Sequence, residues 1–147
     1  MTELIKEDSH PYKPPHLSKE LPVRILIAED NLINQKLLVR ILEVLGYKAD
    51  AVSDGKEVLL AVQKKTYELI LMDIKMPEMN GDDAARELRR MYGVKVPFII
   101  AVTAFALKED RDKYISEGMD GLIAKPFRIE ELVEEMRRVL KPTLPLK

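Results

Sequence analysis

At 147 residues and 46% apolar side chains, the chain is long enough for one ordinary globular domain and is neither fibrous nor disordered in composition. Its 24 basic and 25 acidic residues leave a formal net charge of -1, so the overall balance offers no nucleic-acid footprint and no electrostatic membrane anchor. The absence of cysteine excludes disulfides, thiolate metal sites and cysteine nucleophiles, and no apolar run reaches membrane-spanning length.

The start, MTELIKEDSH, lacks the basic-then-apolar order of a secretory signal. A cytoplasmic location is therefore expected, and a membrane-anchored parent chain is compatible with it. The stretch HPYKPPHLSKELP carries four prolines and no apolar periodicity, so residues 1–21 read as a linker or tail. His10 and His16 fall there and read as exposed residues, since two histidines alone are a weak metal signal. The domain is expected over 22–141, with 142–147 as a second tail.

VRILIA (23–28) is a short β-branched-rich strand. After EDN, residues Leu37, Leu38, Ile41, Leu42 and Leu45 recur as one helical stripe, which Gly46 ends. KADAV (48–52) reads as the second strand. In the following SDGKEVLLAVQKK, Asp54 and Glu57 have the spacing of a capping box, so Asp54 reads as a helix cap. LILM (69–72) is the third strand. Beyond the loop KMPEMNG, the stretch DDAARELRRMY sets Ala85, Leu88 and Tyr92 on one side of a helix. FIIAV (98–102) is the fourth strand, followed by a short polar helix in KEDRDKYISE. GLIA (121–124) is the fifth, and RIEELVEEMRRVL closes the domain with Leu132, Val133, Met136, Val139 and Leu140 on its inner face. Arg86, Arg89 and Arg90, like Arg137 and Arg138, fall on these helices and read as solvated faces.

Strands apolar on both faces and alternating with helices predict a parallel sheet covered on each side. The fold class is therefore α/β, a doubly wound five-stranded parallel sheet of flavodoxin-like (βα)5 type. Of the usual strand orders, 2-1-3-4-5 suits five strands, and it places a site beyond their carboxyl ends, where the winding reverses.

Polar residues collect at that end: Glu29 and Asp30 after the first strand, Asp73 at the third, Thr103 after the fourth, Lys125 and Pro126 after the fifth. Neighbouring first and third strands would bring three carboxylates together, where they repel unless a cation compensates them. Mg²⁺ suits such a cluster because it prefers oxygen ligands, typically one or two carboxylates plus waters and phosphate oxygens. Thr103 and Lys125 offer a hydroxyl and a cation for two oxygens of a phosphoryl group, which makes Asp73 the natural nucleophile for an aspartyl-phosphate. Each residue also has a plainer reading: Glu29 and Asp30 as helix-start acids, Thr103 as a cap, Lys125 as a loop residue. Those readings leave unexplained why four strands place acid, acid, hydroxyl and amine at one end.

On these residues the chain resembles a response-regulator receiver domain over Val23 to about Leu140: the pair ED, the strand-end Asp in LMDIKMPEMNG, TA at Thr103 and Ala104, and KPF at Lys125 to Phe127. AEDNLINQKLLVRIL and MDIKMPEMNG further resemble receivers of hybrid histidine kinases. The resemblance implies that Asp73 accepts a phosphoryl group from phosphohistidine and that Thr103 and Lys125 bind it, with Ala104 leaving room. Asp30 and Asp73 would hold Mg²⁺, with Mn²⁺ an alternative; Glu29 would act partly through water and Lys75 through its backbone carbonyl. It implies a cis Lys125-Pro126 peptide and a flanking role for Lys75 and Phe105, the latter shielding the phosphoryl group from water. The implied partner is a histidine kinase or histidine phosphotransfer protein, met as a monomer or weak dimer, without nucleic acid or direct membrane contact. One departure is Leu122, where the family often has Tyr or Phe at the switch position, which favours a phosphorelay way-station.

Three other readings compete. A haloacid-dehalogenase-like hydrolase also uses a strand-end aspartate, Mg²⁺, threonine and lysine, but needs a second Asp where this chain has Lys75. A phosphorylation-independent interaction module would leave the complete residue set unexplained. Flavin binding lacks a phosphate loop after the first strand. The isolated domain is expected to catalyse nothing beyond its own phosphorylation and dephosphorylation, whether or not the parent chain is a kinase.

Overall fold

The computed structural model describes residues 4–6, 11–104 and 107–143. Its strands are β1 (Ile25–Ala28), β2 (Asp50–Val52), β3 (Leu69–Met72), β4 (Phe98–Thr103) and β5 (Gly121–Ala124). They form one parallel sheet in the expected order 2-1-3-4-5. The strand bounds shift slightly from expectation: β2 begins at Asp50 rather than Lys48, and β4 takes in Thr103 as its last residue. The helices are α1 (Leu17–Glu20), α2 (Leu32–Val44), α3 (Gly55–Lys64), α4 (Gly81–Tyr92), α5 (Lys108–Ser116) and α6 (Ile129–Leu140).

Every residue of β1 and β3 is buried, and successive side chains serve opposite layers. Ile25, Ile27, Leu69 and Leu71 meet the buried leucines of α2 and α6, while Leu26, Ala28, Ile70 and Met72 meet α3, α4 and Tyr114. This two-sided burial is the physical reason that the strands read as continuous apolar runs.

The helix ends follow local chemistry. Asn31 Oδ1 accepts from Asn34 N at 3.0 Å to start α2, and Gly46, at φ 98°, closes it in the left-handed region that a glycine adopts without strain. Asp54 Oδ1 accepts from Glu57 N at 2.9 Å, as expected of a cap, while the Glu57 carboxylate reaches back to Ser53 N at 2.7 Å. Within α2 the buried stripe is Leu38, Ile41 and Leu42, continued by Leu45; Leu37, expected with them, is 37% exposed. It lies about a quarter turn from the stripe's centre.

The arginines expected as solvated faces are ion-paired. Arg86 meets Glu117 at 2.9 Å and also Asp83, Arg89 donates to Gly118 O at 2.8 Å, Arg90 meets Glu87, and Arg138 meets Glu135 at 2.9 Å. Arg137 donates to both oxygens of Glu20 at 2.9 Å. Glu20 belongs to the segment expected as a linker, and that segment also buries Leu4, Leu17 and Leu21 against the α2 and α6 layer. Among the described residues, no helix is long and apolar enough to cross a membrane. Phe105, His10 and residues 144–147 lie outside the described residues.

Candidate functional site

Strand register assembles the site. Ala28 pairs with Met72 across β1 and β3, so the residues that follow them, Glu29 and Asp73, leave the sheet side by side. The ladder runs one step further there, with Asp73 N donating to Ala28 O at 2.9 Å and Glu29 N donating to Val52 O at 3.0 Å. One carboxylate oxygen from each of Glu29, Asp30 and Asp73 lies within 4.8 Å of the others. Glu29 is 1% exposed and Asp73 8%, whereas Asp30 faces solvent.

The cation arrives from the other half of the sheet. Thr103 pairs with Ala124, and Lys125 N donates to Thr103 O at 2.8 Å, so both residues stand at adjoining strand ends. The Lys125 ammonium donates to Glu29 Oε1 at 2.9 Å and lies 3.6 Å from Asp73 Oδ2, with only 6% of its side chain exposed. The Lys125-Pro126 peptide is cis. Thr103 is 1% exposed, two residues beyond Ala101, the partner of Met72. Ala104 and Lys75 are exposed on the loops that follow β4 and β3.

One lysine cannot balance three acids in so little water. Burial pushes the Asp73 carboxyl up to about 7; Lys125 opposes this, and Glu29 and Asp30 add to it. Burial also acts against ionised Glu29, but the hydrogen bond and charge of Lys125, with hydrogen bonds from Asp73 and the Asn31 backbone, together offset it and hold that carboxyl below its ordinary value. Asp30 is raised by burial and by its contact with Glu29. The pocket thus carries a deficit of positive charge ringed by hard oxygen donors, and such a donor set fits Mg²⁺.

Supporting residues complete the pocket, and several were not evident from sequence. Asn31 N donates to Glu29 Oε2 at 3.2 Å. The side-chain amide of Gln35 donates to Glu29 O at 2.9 Å and to Val52 O at 3.0 Å, tying the ends of β1 and β2 together. A polar residue on the inner side of a helix's first turn was its only available signal. Gly81 starts α4 directly against the acid, where a Cβ would fall 2.2 Å from Asp73 O. The loop between β3 and α4 is tied by Gly81 N to Ile74 O at 2.8 Å, by Met76 N to Asn80 Oδ1 at 3.2 Å, and by Gly55 N to Met79 O at 3.0 Å. Leu122 is 7% exposed and shares the α3–α5 layer with Tyr114.

A family model described as response regulator receiver domain matches residues 25–137. Histidine protein kinase 1 of Candida albicans is 41% identical over 135 residues, covering 85% of this chain and 5% of that protein. The polar-differentiation response regulator DivK of Brucella anthropi is 32% identical and covers 82% of this chain and 98% of that protein. Among solved structures, the receiver domain of a sensor histidine kinase from Pseudomonas aeruginosa, with a magnesium ion coordinated in its active-site cleft, has a TM-score of 0.73 and 36% identity, covering 81% of this chain and 98% of that one. A response regulator of Thermotoga maritima in complex with Mg²⁺ and BeF has a TM-score of 0.70 and 31% identity, covering 80% and 98%. The chain spans only 5% to 10% of the histidine kinases from Candida and Dictyostelium that it matches.

Proposed function

The chain belongs to the response regulator receiver domain family of two-component systems, and from that premise we propose that it takes a phosphoryl group from a phosphohistidine onto Asp73. The observation that carries this reading is the Lys125 ammonium, 2.9 Å from Glu29 and 3.6 Å from Asp73, facing three acids that it cannot neutralise alone.

An Asp73 carboxylate oxygen attacks phosphorus in line with the departing imidazole nitrogen. The O–P bond forms as the P–N bond breaks, and the imidazole keeps the electron pair and takes up a proton. Lys125 and the Thr103 hydroxyl hold two of the phosphoryl oxygens, and Ala104 leaves space beside them. Glu29, Asp30, Asp73 and the Lys75 carbonyl would hold the Mg²⁺, which supplies the charge that lets a crowded carboxylate approach a phosphoryl group. Mn²⁺ would substitute. Lys75 stands where a haloacid-dehalogenase-like hydrolase needs its second aspartate, so that alternative is not favoured.

The phosphodonor is a histidine kinase or a histidine phosphotransfer protein. Leu32 (62% exposed), Ile33 (68%) and Leu37 open α2 to solvent beside the acids, and such an apolar patch suits a partner's helical face. A cytoplasmic setting accompanies this reading.

Incubation with Mg²⁺ and acetyl phosphate, followed by intact mass, is expected to show one added phosphoryl group that vanishes in Asp73→Asn. No added mass in the parent chain, or persistence of it in Asp73→Asn, would overturn the assignment.

A further inference from the structure

The family match begins at residue 25, yet the chain ahead of it reaches the site's lysine loop. Ile5 forms a parallel bridge with Phe127, with Phe127 N donating to Leu4 O at 2.9 Å and Lys6 N donating to Phe127 O at 2.8 Å. Phe127 is two residues past Lys125 and fully buried, and Leu4, 3% exposed, lies in the same apolar layer. The lysine loop is therefore held from two directions, by Thr103 O on the Lys125 amide and by residues 4–6 on both backbone groups of Phe127.

The following stretch is itself anchored. Leu17 and Leu21 are buried, Ser18 N donates to Leu45 O at 3.0 Å, the Tyr47 hydroxyl donates to Leu21 O at 2.6 Å, and Glu20 pairs with Arg137. Side chains of the segment also close over the start of α6, where Ile5, Tyr12 and Pro14 face Arg128 and Ile129 across a cleft of about 260 Å³. Residues 17–21 are thus fixed at α2 and α6, and residues 4–6 are bonded directly to Phe127 and packed through Leu4 into the same apolar layer.

We propose that residues 4–6 are a positioning element of the phosphoacceptor site, a clamp strand on Phe127 that keeps Lys125 directed at Glu29 and Asp73. The proposal rests on the reading of Asp73 as phosphoacceptor. On this view residues 4–6 and 11–21 belong to the same folded unit as residues 22–141 and form part of the scaffold of the site. Glu29, Asp30 and Asp73 follow the ends of β1 and β3, whereas the backbone bonds described for residues 4–6 go to Phe127, so the clamp acts on the lysine side of the pocket and not on the metal side.

The test is Lys6→Pro in the full chain, which removes one clamp hydrogen bond while Ile5 keeps the extended backbone that precedes a proline; Lys6→Ala, which keeps the N–H, is the control. Lys6→Pro is expected to speed amide exchange at Phe127 about tenfold. It should slow phosphorylation by acetyl phosphate at saturating Mg²⁺ roughly tenfold, since small displacements of a positioned group are costly. Half-saturation by Mg²⁺, followed by calorimetry, should stay unchanged, and Lys6→Ala should match the parent. Leu4→Ala should move the same readouts in the same direction. Unchanged Phe127 exchange, or faster exchange with phosphorylation at the parent's rate, would overturn the clamp. If the parent accepts no phosphoryl group, the phosphoacceptor reading fails, and the exchange measurement still decides whether the clamp holds the loop.

Discussion

The two sides of the sheet are secured by different means. On the acid side, α2 buries Asn34, Leu38, Ile41 and Leu42, and α4 buries Ala84, Ala85 and Leu88, so β1 and β3 are held from both faces. On the β4–β5 side, Tyr114 is the only buried side chain of α5 among the described residues, while Ile115 in the same helix is 52% exposed and Leu107 just ahead of it 71%. On that face polar links supplement the packing, chiefly Arg86 to Glu117 at 2.9 Å and Arg89 to Gly118 O at 2.8 Å, while α6 packs Leu132, Val133 and Met136 into the layer on the other face. Because burial sets most of the cost of displacing an element, the carboxylates sit on the stiff side and α5 is the cheaper element to shift. That division suits a site in which the acids stay in place and a response to new charge is read out around Thr103, Leu122 and α5.

The largest expected effect that sharpens this contrast is at Lys125, whose ammonium reaches from the end of β5 to Glu29 and Asp73. Lys125→Ala should lower the rate of phosphorylation by acetyl phosphate by about 10²-fold or more at saturating Mg²⁺, the usual cost of removing a positioned charge-stabilising donor. A rate within a factor of two or so of the parent would mean that Lys125 is only a counter-charge for Glu29.

Next comes the packing of the acid side. Leu42→Ala should destabilise the protein by about 2–5 kcal/mol in urea unfolding, as expected for a fully buried leucine. A loss under about 1 kcal/mol would show that α2 anchors β1 less firmly than its burial implies.

Protonation gives a smaller, conditional effect. Asp73 holds its proton up to about 7 in the fold, against about 4 for an ordinary aspartate in an unfolded chain. Between those values the folded state binds more protons than the unfolded one, so metal-free stability should fall as pH rises from about 4 to about 7. Glu29, held below its ordinary value, acts in the opposite sense and loses its contribution only as pH falls through the acidic range. The urea midpoint should be lower at pH 7 than at pH 5 without Mg²⁺, and saturating Mg²⁺ should remove most of that difference. An equal or higher midpoint at pH 7 without metal would show that Asp73 is not the strained acid.

The smallest effect belongs to the α5 surface. Ile115→Ser should change stability by no more than about 0.5 kcal/mol, in keeping with a half-exposed residue on a lightly packed helix. A larger loss would mean that α5 is as firmly seated as α2.

The strands, five of the six helices and the gathering of Glu29, Asp30, Asp73, Thr103 and Lys125 were legible in the chain. The reason is that each of those polar residues ends or follows an apolar run, and parallel strands present such positions on one edge. Features that depend on distant partners were not. Nothing around Gln35 indicates that its amide will bridge Glu29 O and Val52 O, and nothing around Arg86 names Glu117. Leu37 read as core because a stripe judged by spacing alone is wider than the face that the sheet covers. The proline-rich start hid Leu4, Leu17 and Leu21 because irregularly spaced leucines carry no period, although each finds the same apolar layer.

The order of apolar runs, turn residues and strand-end polar groups was enough to determine the parallel α/β sheet, its strand order and the identity of the residues at its carboxyl edge. Those follow from local periodicity and from the few ways in which strand-helix units can wind. Only the tertiary structure decided that Lys125 lies on Glu29 more closely than on Asp73, that crowding raises the Asp73 carboxyl, and that residues 4–6 bond Phe127. Charge balance, desolvation and contacts between residues far apart in the chain exist only once the elements have met.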